Sequence, residues 1–117
     1  MRRIPERDWT VLRGIRDEAL HRLSVRIING VRELIADADI DAESHATFLI
    51  ICRFIREQNQ ELGDLFDDWR RSTAITTLML WARAGLITEE EFAAFSEDTK
   101  EIVHAMADVK FYMAGEA

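Results

Sequence analysis

The chain has 117 residues, of which 48% are hydrophobic and 32% charged, and a formal net charge of −7. That is enough chain for one hydrophobic core, able to bury roughly two-thirds of the surface its unfolded form exposes without help from a disulfide or a structural metal. The acidic balance repels nucleic-acid phosphate and anionic lipid headgroups, so neither a nucleic acid nor a membrane surface is expected as a partner.

The first residues, Met1 to Asp8, carry charge with no apolar segment behind them. No run approaches the roughly 18 apolar residues of a membrane span. A cytoplasmic protein is therefore expected. The acidity is uneven: residues 1–40 hold eight arginines against seven acids, residues 41–117 seven basic residues against fifteen acids. Cys52 is alone and sits in the apolar run Phe48-Leu49-Ile50-Ile51-Cys52, which suits a packed thiol better than a reactive one.

One proline and five glycines leave room for long helices and little for turn-rich β-structure. The expected fold is all-α: one four-helix bundle-like domain, mostly antiparallel, with long first and second helices. The first helix opens at Pro5, suited to a first helical turn, and runs to about Ala36. Its stripe is Leu12, Ile15, Ala19, Leu23, Ile27 and Leu34, with interruptions at Gly14 and Gly30. An acidic link follows, in which Asp41 is placed to cap the second helix, residues 42–62.

The second helix carries Phe48, Cys52, Ile55, Asn59, Leu62, Phe66 and Trp69 in alternating steps of four and three. Leu49, Ile50, Ile51 and Phe54 add apolar groups on its other faces, so it needs cover on more than one side. Gly63 to Asp68 mark a break, with one continuous bent helix as the alternative, before a third helix, residues 68–84, whose stretch Thr73 to Ala82 bears no charge and reads as the most buried element. Gly85 then ends that helix. Thr88 and Glu91 form a capping box for a fourth helix, residues 89–113, with Ile87 and Phe92 as its hydrophobic staple. The repeat Phe92, Phe95, Thr99, Ile102, Met106, Val109, Met113 implies that this helix is unbroken.

Glu-x-x-His occurs twice, as Glu18 to His21 and Glu101 to His104, a spacing that di-iron bundles use. At about 100° per residue both pairs fall outside the apolar stripes of their helices, so no metal or other cofactor is expected. No nucleophile elbow or phosphate-binding glycine loop is present, and catalysis is not the favoured reading. Asp67, Asp68, Trp69, Arg70 and Arg71 form a candidate polar interaction cluster, since adjacent arginines beside an aromatic can hold a carboxylate or phosphate. Arg53 and Arg56 could extend that positive area.

The apolar excess over residues 48–55 and 74–82 points instead to self-association, with Phe48, Ile51, Phe54 and Ile55 as the candidate dimer surface. The expected function is a small helical interaction or regulatory module, homodimeric through its second and third helices, with a protein partner also compatible. The alternative is a small-molecule binder or enzyme with an interhelical pocket lined by Trp9, Trp69, Trp81, Phe66 and the methionines.

Overall fold

Pro5 does not enter the first helix but stands immediately before it, and its carbonyl accepts from Trp9 N at 3.0 Å. The computed structural model describes residues 4–113 and is all-α, with no strand among the described residues. Helix α1 spans Glu6–Ala36 without interruption at either glycine, and α2 spans Ile40–Phe66. The cap of α2 is Asp39, not Asp41: its carboxylate accepts from Ala42 N at 3.2 Å. The link between the helices is correspondingly shorter than expected.

The chain breaks after α2 as the glycine and aspartates imply. Asp67 to Arg70 lie outside any helix, and a 3-10 turn, Arg71–Thr73, leads into α3, Ala74–Arg83. Asp68 does not cap this element, because its carboxylate is engaged by Arg70. Helix α3 lies in the core, with Ala74, Ile75, Thr77, Leu78, Trp81 and Ala82 all buried. The Trp81 indole N–H donates to the Leu65 carbonyl at 2.8 Å, which joins α3 to the end of α2.

Gly85 adopts a φ of +72°, the left-handed conformation that lets α3 stop. Leu86 N then reaches the Trp81 carbonyl (3.1 Å) and Gly85 N the Ala82 carbonyl (3.4 Å), the paired bonds of a Schellman ending. Two arginines from α1 cover carbonyls that this ending leaves open. Arg26 donates to the Ala84 and Gly85 carbonyls at 2.7 and 3.0 Å, and Arg22 to that of Leu86 at 2.9 Å. The capping box forms: Glu91 N donates to Thr88 Oγ1 (3.1 Å) and Thr88 N to Glu91 Oε1 (2.9 Å). Ile87 and Phe92 are both buried beside it.

The fourth helix is not continuous. It comprises α4, Glu89–Ala93, and α5, Glu97–Met106, while residues 107–113 are not helical. Ser96 causes the break, since its hydroxyl caps α5 and also donates to the carboxylate of Asp8 at 2.6 Å. Ser96 N (2.9 Å) and Thr99 Oγ1 (2.6 Å) donate to the same fully buried carboxylate. Burial pushes the Asp8 carboxyl up, but these three donors outweigh it and hold the group below its usual value. Beyond Met106 the chain runs along the base, donating from Lys110 N to the Ala82 carbonyl (2.9 Å) and from Tyr112 N to that of Ile87 (2.8 Å).

These elements divide the molecule lengthwise. The first half of α1, the end of α2, α3, α4, α5 and the final segment make a packed base. The second half of α1 and the first half of α2 project from it as a two-helix arm. The extents are 56 × 26 × 23 Å and the radius of gyration is 16.9 Å, against about 13 Å for a spherical domain of this length.

Candidate functional site

The arm is an antiparallel pair in which one helix turns a narrow face to the other. Gly30 is the point of close approach: a Cβ there falls 2.5 Å from Cζ of Phe54, so the phenyl ring occupies the space a side chain would need. With Phe54 directed at α1, helical geometry turns Thr47, Ile51, Gln58, Leu62 and Leu65 the same way, and all are at least half-buried.

A second stripe follows about a quarter-turn round each helix. On α2 it is Phe48, Cys52, Ile55 and Asn59; on α1 it is Ser24, Ile28, Val31 and Ile35. Each set falls within an arc of about 60° at 100° per residue. The two stripes share one side of the arm, where Ser24, Ile27, Ile28, Ile55, Asn59 and Leu62 line a single groove of about 210 Å³. Further toward the tip, Ile28, Val31, Arg32 and Ile35 line a second hollow. The stripes contain no charged residue, yet Ile28 is 61% exposed, Phe48 60%, Ile55 48% and Ile35 44%. The base leaves this side open, because Arg22 and Arg26, which tie α1 to the α3–α4 connection, point to the other side.

The residues anticipated as a dimer surface therefore divide. Phe48 and Ile55 stand outward on this face, whereas Ile51 and Phe54 face α1 within the same chain. Conversely, Ile28, Val31 and Ile35 of α1 belong to the surface and had been assigned no such place. Their signal was present in the sequence as an apolar stripe beside the core stripe of α1, three and four residues apart.

The polar cluster does not converge. Arg70 donates to both carboxylate oxygens of Asp68 (2.7 and 3.2 Å), and that exposed pair holds the Asp68 carboxyl below its usual range. Arg71 turns away to the carboxylate of Glu6 and the carbonyl of Ile4. Trp69 packs between Trp9 and Trp81, at centroid distances of 5.0 and 5.8 Å, and the Arg16 guanidinium lies 4.8 Å over its ring. Phe66 stacks on Trp81 at 5.1 Å. The four aromatics that could have lined a pocket thus cover one another. Asp67 follows the last turn of α2. Arg53 and Arg56 lie up the arm, Arg56 about 15 Å from the end of α2 at 1.5 Å per residue.

Glu18, His21, Glu101 and His104 are all exposed. The His104 ring meets the edge of Phe92 at 5.2 Å. Among the described residues no group of three or more His, Cys, Asp or Glu stands close enough to hold a metal ion, and no helix is long and apolar enough to cross a membrane. Cys52 is half-buried within the apolar stripe of α2. Compared with family models, with curated proteins and with solved structures, the chain matches none.

Proposed function

We propose that the chain is a helical interaction module that self-associates through the apolar face of its arm. One observation carries this reading: a continuous face built from two apolar stripes, one on each helix and bordered by Arg32, on which four large hydrophobic side chains are 44–61% exposed. At roughly 200 Å² for a fully exposed side chain of this size, those four side chains offer roughly 400 Å² of apolar surface, the size of a monomer's largest patch, which is often functional. A stable dimer buries roughly 800 Å² on each partner, so the contact takes in the polar residues that border the stripes as well. Stripes with no charged residue of their own also suit a symmetric contact, in which the same patch meets itself. Helix α3, the other apolar segment, is covered by its own chain and drops out of the contact. The base acts as the scaffold that fixes the angle and register of the arm.

Sedimentation across a micromolar concentration range tests this directly. The expected result is a dimer mass that persists or grows with concentration, and a monomer mass for Ile28→Glu combined with Phe48→Glu. Both positions are exposed, so the base should keep its unfolding transition. A monomer mass for the unaltered chain at every concentration overturns the reading.

A further inference from the structure

We infer that the two arms pair antiparallel, with the two-fold axis crossing the arm near Val31 and Cys52, so that Phe48 of each copy enters the groove of the other. This rests on the self-association proposed above. The apolar face is uneven along its length. Its base end holds the groove between Ile27 and Ile28 on α1 and Ile55 and Leu62 on α2, with Ser24 and Asn59 beside them. Its tip end holds Phe48, the most exposed aromatic side chain of the arm. Phe48 and Asn59 are about 16 Å apart along α2 at 1.5 Å per residue. An axis crossing the arm midway exchanges these two levels, so each copy presents a ring where the other presents a hollow. An axis running along the arm instead sets Phe48 against the partner's tip and leaves two grooves facing each other unfilled, losing the contacts that close packing supplies.

Charge favours the same orientation independently. Glu33, Asp37, Asp39, Asp41 and Glu43 gather at the tip, and no lysine or arginine occurs between Glu33 and Cys52. Arms aligned in parallel bring two such tips together, where like charges repel. Antiparallel arms hold them at opposite ends of the pair. The base does not obstruct this, because it packs on the side to which Arg22 and Arg26 point.

The test is a distance between spin labels on Asp17→Cys in a Cys52→Ser background. Asp17 is exposed and lies about 10 Å beyond the base end of the α1 stripe, in phase with it. Antiparallel pairing sets the labels on the order of 40 Å apart along the arm, whereas parallel pairing keeps them at one level, within about 20 Å. A second variant, Phe48→Cys with Asn59→Cys in the same background, should form a covalent dimer on mild oxidation, while either cysteine alone should not. The two positions are too far apart along one helix to bridge within a chain. A dimer mass with the short distance, or a paired-cysteine variant that still sediments as a dimer yet gives no covalent product, overturns the antiparallel arrangement and leaves self-association standing. A monomer mass overturns both.

Discussion

Arg22 and Glu91 are joined by two hydrogen bonds, at 2.6 and 3.1 Å, between a guanidinium on α1 and the carboxylate that also closes the capping box of α4. One side chain thus completes a helix start and ties it to a helix 69 residues away in sequence. Burial pushes the Glu91 carboxyl up, but Arg22 and the backbone N–H of Thr88 hold it below its usual value. Glu91→Ala is expected to cost about 2–3 kcal/mol in chemical denaturation, because it leaves a partly buried cation and a backbone donor without their acceptor. Arg22→Met combined with Glu91→Ala should cost less than the sum of the two single changes.

Asp8 predicts an acid limb in the stability profile. The folded state holds its carboxyl below the ordinary value of 3.8, so it binds the proton more weakly than the unfolded chain does. The stability this contributes is complete above that ordinary value and is lost as pH falls through the lower, folded one. Asp8→Asn should flatten this limb while lowering stability at neutral pH by about 1–3 kcal/mol, since one amide cannot accept from Ser96 N, Ser96 Oγ and Thr99 Oγ1 as a carboxylate does. Thermal melts between pH 2 and pH 7 read both effects; an unchanged acid limb in the variant would refute the assignment.

Gly30 and Phe54 should behave as a coupled pair. Alanine favours a helix over glycine by up to about 1 kcal/mol, but at position 30 the added methyl meets the phenyl ring, and such overpacking costs about 1–3 kcal/mol. Gly30→Ala is therefore expected to destabilise, and Phe54→Leu to relieve it in the double variant. A stabilised single variant would show that the ring moves aside freely.

The Trp81 indole supplies the fourth measurement. Trp81→Phe preserves much of the stacking but removes the donor to the Leu65 carbonyl, so a loss of about 1–3 kcal/mol is expected in urea unfolding. Trp9 and Trp69 remain as fluorescent reporters.

Where sequence carried the fold, it did so through local chemistry. Gly85, Thr88 and Glu91 announce a helix junction because each satisfies backbone groups within a few residues of itself, and the structure repeats that logic bond for bond. The break at Ser96 was hidden because its decisive partner is Asp8, 88 residues away, while Phe92, Phe95 and Thr99 keep helical spacing across it. The end of α5 was obscured similarly. Val109 and Met113 continue the helical repeat past Met106, but in a non-helical segment whose alternate amides, from Lys110 and Tyr112, donate to the carbonyls of Ala82 and Ile87.

The candidate site was half legible. Apolar excess on α2 was plain from composition, but which of its faces meets α1 depends on Gly30 admitting Phe54. That contact sets the rotation of the helix: a Phe54-centred core stripe leaves Phe48 and Ile55 outside. Sequence alone put Ile51 and Phe54 on the same surface as Phe48 and Ile55, because the two stripes have the same spacing and differ only in phase.

Dividing the molecule into base and arm has a consequence for its internal motions. Amides in α3 are locked beneath Trp81 and Leu78, so their exchange with solvent deuterium should require opening of the whole base. Those near Phe48 and Ile35 are backed by one neighbouring helix and can exchange through smaller local openings. Under the self-association proposed above, raising the protein concentration should slow exchange selectively in the arm, giving a residue-by-residue map of the contact.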